Sequence, residues 1–163
     1  MGYTTYFEGG VIIDPPLNEK EVLYINKFAE TRRMDREKGP YYVGGTGMAG
    51  QGNDPDIRDH NRPPEGQPGL WCNWIASEEG DIIEWDGGEK FYAAAEWMQY
   101  IIDHFIGKDP LAKLNQPEHF DFLQGHTVNG EIFADGEESG DNWKIEVVDG
   151  VVTTKEGHIV YDE

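Results

Sequence analysis

Apolar residues in this chain recur at two spacings. Val22, Ile25, Phe28 and Ala29, and again Phe91, Ala94, Met98, Ile101 and Phe105, lie three and four apart, as one face of a helix requires. Asn18 with Glu21 three residues on has the form of a capping box, so the first helix is expected to start there. The second is expected over 89–106, with Gly107 as its stop. Elsewhere the period is two, or the runs are short and bounded by glycine and proline. Tyr3 to Phe7 and Val11 to Ile13 read as a hairpin around Glu8-Gly9-Gly10, ended by Pro15-Pro16. Leu70 to Ser77 and Asp81 to Asp86 read as a second hairpin, rich in tryptophan. Thr127 to Ala134, Trp143 to Val148, Val151 to Thr154 and His158 to Tyr161 read as a meander, with Asp149-Gly150 as a two-residue turn.

These elements predict an α+β fold: an antiparallel sheet of N-terminal hairpin, central hairpin and C-terminal meander, packed with two main helices. With 163 residues, a single domain spanning 1–163 is expected. Between the elements lie a polar connection over 108–124 and a loop over about 39–69 rich in glycine, proline and arginine. Loops of that length are uncommon unless they serve function.

Charge sharpens the interest of that loop. The chain carries a net charge of −19. All five arginines, Arg32, Arg33, Arg36, Arg58 and Arg62, nevertheless fall between positions 32 and 62, beside Gly44-Gly45-Thr46-Gly47-Met48-Ala49-Gly50-Gln51-Gly52. Guanidinium groups pooled beside flexible backbone suit the capture of a phosphate or carboxylate. Tyr41, Tyr42, Trp71 and Trp74 flank the loop and could stack on a planar base. The glycine run fits neither a dinucleotide fingerprint, since no amphipathic helix follows it, nor a P-loop, since no Gly-Lys-Ser/Thr closes it. A backbone nest for phosphate remains open, as does a plain surface loop. The arginines also have a structural reading, as cations past a helix C-terminus or as partners of surplus carboxylates.

Other chemistry is thinner. Asp54, Asp56, Asp59 and His60 form a candidate hydrolase or transferase cluster, with solvated loop acids as the plain alternative. Asp135, Glu137, Ser139, Gly140, Asp141 and Glu146 match the spacing of a calcium loop, but sit between strands rather than helices, so an acidic hairpin loop is expected. Cys72 is the single cysteine, which excludes an internal disulfide and reads as a small buried hydrophobe. No apolar run approaches a membrane span, and the N-terminus matches neither a secretory nor a myristoylation signal. A cytoplasmic protein without metal or cofactor is expected. The negative charge argues against direct nucleic-acid or membrane binding, and permits an acidic surface that imitates DNA.

Thr31-Arg32-Arg33-Met34, Asn61-Arg62-Pro63-Pro64, Gln67-Pro68-Gly69-Leu70-Trp71-Cys72 and Glu84-Trp85-Asp86-Gly87-Gly88-Glu89-Lys90-Phe91-Tyr92 resemble a family of small proteins encoded by bacteria and bacteriophages. The likeness spans most of the chain. That family has Tyr where this chain has His60, and it implies no catalytic residues. By context, it implies a protein that sequesters a nucleotide signal or one that mimics DNA. The leading expectation is a non-enzymatic, oligomeric binder of a small phosphorylated, nucleotide-like ligand, with an acidic interaction inhibitor as the alternative.

Overall fold

The computed structural model describes residues 2–157. In chain order the strands are β1 (Thr5–Asp14), β2 (Asp35–Arg36), β3 (Ile57–Asp59), β4 (Trp74–Ala76), β5 (Ile82–Trp85), β6 (Thr127–Gly136), β7 (Asn142–Val148) and β8 (Val151–Glu156). The helices are α1 (Glu19–Glu30), α2 (Ala94–Ile101) and α3 (Leu111–Asn115). Six strands form one antiparallel sheet in the order β4-β5-β1-β6-β7-β8, and β2 pairs with β3 in a separate ribbon. This is the expected α+β class. The strand expected over His158 to Tyr161 lies outside the described residues.

Local signals placed several elements well. Asn18 accepts a hydrogen bond from the Glu21 N–H while the Glu21 side chain accepts from the Asn18 N–H, closing the capping box of α1. Asp149 and Gly150 both adopt positive φ, as a two-residue hairpin turn requires, and join β7 to β8.

The N-terminal hairpin is corrected. Thr5–Asp14 is one continuous strand, and Gly9-Gly10 lies in its middle, paired with β6 throughout. A Cβ on Gly10 would lie 2.5 Å from Ile82 Cγ2 and 2.8 Å from the Ile83 carbonyl oxygen. The glycine serves close approach of β5 and not a turn. The second helix is also shorter than its periodicity predicts. Lys90 and Ala93 have left-handed φ, so regular helix starts at Ala94. Phe91 packs instead against Phe7 and Trp74, and tertiary contact overrides the helical pattern. At its other end α2 widens into a π-turn over Ile102–Ile106, closed by the Gly107 N–H on the Ile102 carbonyl. The connection over 108–124 contains α3.

The helices cover only one face of the main sheet. That face contributes Phe7, Val11, Ile13, Trp74, Ile83, Ile132, Ile145 and Val147 to a core closed by Ile25, Phe28, Trp97, Met98, Ile101 and Phe105. The register dictates what the other face shows. Row by row it reads Tyr6–Asp135–Asn142, then Glu8–Phe133–Lys144–Lys155, then Ile75–Glu84–Gly10–Glu131–Glu146–Thr153, then Ile82–Ile12–Asn129, with the pair Val148–Val151 beyond it.

Both sheet edges meet an amide side chain from a helix. Asn26 of α1 accepts from the Ala76 N–H and donates to the Ala76 carbonyl, standing in for a neighbouring strand at β4. Gln99 of α2 does the same at the start of β8, accepting from the Val152 N–H and donating to the Gly150 carbonyl.

Candidate functional site

The arginine-rich segment is folded, and its arginines divide into two sets. Arg33 and Arg36 are buried. Arg36 Nη1 lies 3.0 Å from Asp56, its Nη2 lies 3.5 Å from Asp54, and Nη2 also donates to the Gly50 carbonyl. Asp54 in turn accepts from the backbone N–H and the hydroxyl of Thr46. The Thr46 backbone N–H and then its hydroxyl, with Arg36 adding to them, hold the Asp54 carboxyl below the usual range. The glycine-rich run therefore wraps around an anion supplied by the chain itself. A Cβ on Gly45 would lie 2.6 Å from Arg36 Nη2 and 2.8 Å from Asp54, so the run is glycine-rich for packing. The carboxylate of Asp54 thus takes up the Thr46 N–H and faces the Arg36 guanidinium, groups that a backbone nest would have offered to a phosphate.

Arg33 packs its guanidinium 4.1 Å from the centre of the Phe28 ring and donates through Nη2 to the carbonyls of Pro40 and Tyr42. Burial pulls its pKa down to about 10. Its Nε and Nη1 have no hydrogen-bond partner among the described residues. Both buried arginines are thus turned inward, away from any exposed ligand.

Arg32, Arg58 and Arg62 form the outer set. Arg32 donates to the His60 carbonyl and the Asn61 side chain, Arg58 lies 3.8 Å from Asp35, and Arg62 is exposed. The ribbon of β2 and β3 draws this set together, since the Asp35 N–H also bonds the Arg62 carbonyl.

The aromatic candidates separate in the same way. Trp74 is fully buried, with its indole N–H on the Ala94 carbonyl, and is a core residue. Tyr41 is buried too, and Tyr42 packs between Arg36 and Lys38. Trp71 precedes β4 and keeps about a third of its surface exposed, 37%, so of this group it is the one open to stacking.

The loop acids do not converge as a catalytic cluster. Asp54 and Asp56 hold Arg36, Asp59 accepts from the Asn61 N–H, and His60 lies 3.4 Å from the Gly52 carbonyl. In the calcium-like stretch Asp141 accepts from the Tyr3 hydroxyl and Glu137 from the Thr4 N–H, while Glu146 pairs with Lys144 and Lys155. Among the described residues no group of three or more His, Cys, Asp or Glu is placed to hold a metal ion. Cys72 is buried, and its thiol is pushed up to about 12 by burial, which makes it a poor nucleophile.

Two polar assemblies escaped sequence reasoning, because their members lie far apart in the chain. His104, on the π-turn, stacks on Tyr100 at 3.9 Å and meets the Tyr41 hydroxyl 2.7 Å from Nδ1. Burial holds its pKa below the ordinary value, which favours a neutral ring whose Nδ1 accepts from Tyr41. The second is Glu21 with His126, both buried, 2.7 Å apart. His126 Nδ1 also lies 2.6 Å from the Pro15 carbonyl oxygen, which can only accept. With an ionised carboxylate on Nε2, both ring nitrogens must donate, so the imidazole is charged.

Among the described residues the outer sheet face is left without a covering layer. Tyr6, Ile12, Phe133, Val148 and Val151 are each more than half exposed there. Glu8, Asp14, Glu84, Glu131 and Asp135 are exposed among them. Against these acids and Glu146 stand Lys144 and Lys155, both already paired with glutamates. Among the described residues no helix is long and apolar enough to cross a membrane. Comparison with protein-family models, curated proteins and solved structures returns no match to this chain.

Proposed function

We propose that this chain is a non-enzymatic interaction protein that lays the outer face of its sheet on a basic, nucleic-acid-binding surface of a protein partner. One observation carries the reading: a six-stranded sheet covered on one side, whose other side mixes exposed aromatic and aliphatic side chains with the carboxylates of Glu8, Asp14, Glu84 and Asp135, which have no basic partner among the described residues. Apolar area supplies affinity when it is buried, and the carboxylates select the partner and speed its approach. A net charge of −19 opposes a second copy of the same chain on this face. The mimicry of DNA implied by the family resemblance agrees with this reading.

Competition tests it. The protein is titrated into a panel of small basic DNA-binding proteins, each holding a labelled duplex. At least one duplex is expected to be displaced at about 0.15 M salt, with displacement falling steeply as salt rises. The pair Asp14→Lys and Glu84→Lys should abolish displacement without moving the melting temperature. Displacement indifferent to those charges would overturn the reading.

A second reading keeps the small phosphorylated, nucleotide-like ligand, now confined to Arg32, Arg58 and Arg62 with Trp71. It is favoured by the β2–β3 ribbon, which brings the backbone of these three arginines into one segment and leaves Arg58 and Arg62 exposed. Arg58→Ala and Arg62→Ala are expected to change stability by no more than about 0.5 kcal/mol, as exposed sites do. A thermal-shift screen of nucleotides, cyclic dinucleotides and ADP-ribose derivatives then discriminates: stabilisation lost in Arg62→Ala supports the ligand, and no shift with any compound rejects it.

A further inference from the structure

The two sheet edges are not equivalent. The short edge strand β4 is closed at Ala76 by the Asn26 amide. β8 is twice as long, and its register fixes which groups face outward. The two-residue turn makes Val148 and Val151 a hydrogen-bonded pair, and the Gly157 N–H on the Asn142 carbonyl continues that alternation at the far end. Val152, Thr154 and Glu156 therefore turn their N–H and C=O groups away from β7. Gln99 takes the Val152 N–H. Thr154 and Glu156 keep outward main-chain donors and acceptors on an edge that α2 accompanies without sealing.

Beside that edge runs a groove. A depression of about 560 Å³, lined by Tyr92, Glu96, Asp141, Trp143 and Glu156, adjoins one of about 420 Å³ between Gln99 and Val152. The two share Ala95, Glu96 and Thr154. An extended chain on the β8 edge would lie in this groove, with alternate side chains directed toward α2 and toward the outer sheet face.

We infer that β8 accepts an extended, basic segment of a protein partner as a seventh strand, paired through the main chain of Thr154 and Glu156. The edge groups that have no partner among the described residues call for an extended backbone. Glu96, Asp141 and Glu156 along the groove, and Glu8 and Asp135 in the adjoining depression of the outer face, select lysine or arginine at alternate positions. Lys155 does not offset them, because its ammonium is held by Glu146. The same charge that favours a basic segment opposes β8 pairing with its copy in a second molecule. This inference rests on the interaction-protein reading and names the part of the partner that the molecule holds.

The probe is a fluorescently labelled hexapeptide of alternating lysine and valine, with an alternating glutamate–valine peptide as control, followed by anisotropy. Saturable binding of the basic peptide is expected, with the acidic one at least tenfold weaker. Thr154→Pro removes one outward donor and no bond of the β7–β8 ladder, so it should cost at least tenfold in affinity while the protein stays folded. Should that variant fail to fold, N-methylation of alternate residues of the peptide makes the same test on unaltered protein. Full binding by Thr154→Pro or by the methylated peptide, equal binding of the acidic peptide, or no binding at all overturns the inference. So does a dimer in light scattering that Thr154→Pro dissociates, since the occupant is then a second copy. Peptide binding lost in Thr154→Pro but kept in the Asp14→Lys, Glu84→Lys protein retains the edge site, whatever the duplex competition says of the face. The reverse pattern rejects strand addition and leaves the face.

Discussion

Arg36→Met is expected to destabilise the protein by about 3–5 kcal/mol, because it removes one side of an internal ion pair and leaves Asp54 and Asp56 facing an apolar side chain. In a domain of this size that lowers the melting temperature by on the order of 10 °C. Differential scanning calorimetry of the variant measures it. The comparison that matters is with Arg62→Ala, which should melt with the parent protein. An Arg36 variant of undiminished stability would mean that its guanidinium does not organise the glycine-rich loop. The loop would then regain its standing as an anion pocket.

The second large effect is a pH dependence centred on Glu21 and His126. Burial acts to raise the Glu21 carboxyl, but hydrogen bonds from His126, from the Asn18 N–H and from the Gln124 N–H outweigh it and hold the pKa below its ordinary value. Burial acts to lower His126, and the bonds to Glu21 and Pro15 outweigh it in the other sense. The folded pKa of His126 is therefore the higher one, so its contribution is complete below its ordinary value of 6.5 and is lost as pH rises through the folded pKa. Glu21, depressed on folding, contributes fully above 4.5 and loses that contribution as pH falls through its folded pKa. Together they favour the folded state most between those two values. Glu21→Gln should cost about 3–5 kcal/mol near pH 5.5 and distinctly less at pH 9, where the histidine is neutral and can accept from the new amide. Melting curves of both proteins across that range decide it. A deficit of equal size at both pH values would show that the capping role of Glu21 accounts for the whole effect.

What could be read from the sequence was what is encoded within a few residues. The capping box of α1 spans Asn18 to Glu21, and the β7–β8 turn needs only Asp149 and Gly150, so both were legible. Gly9-Gly10 carries the same residue type as a turn, but its role is set by β5 and β6, which lie some 70 and 120 residues later. The start of α2 moved for a similar reason, since Phe91 answers to Phe7 and Trp74 rather than to the helical period. In the candidate site, the concentration of arginine was plain and its division was not. Arg33 and Arg36 point inward because Phe28, Pro40, Asp54 and Asp56 are there to receive them. Asp54 and Asp56, within the same near-neutral stretch, were the available sign that part of the cluster neutralises itself. The outer face needed the strand order, because its rows are assembled from six separate segments.

The unequal treatment of the two sheet ends bears on stoichiometry. A sheet open at both ends can be extended without limit, and each added chain offers the next a fresh template, which is the route to fibres. With the Asn26 amide occupying one end, copies of this molecule cannot chain from the β8 of one to the β4 of the next. Raising the concentration of this chain alone is therefore expected not to lengthen the sheet from one copy to the next.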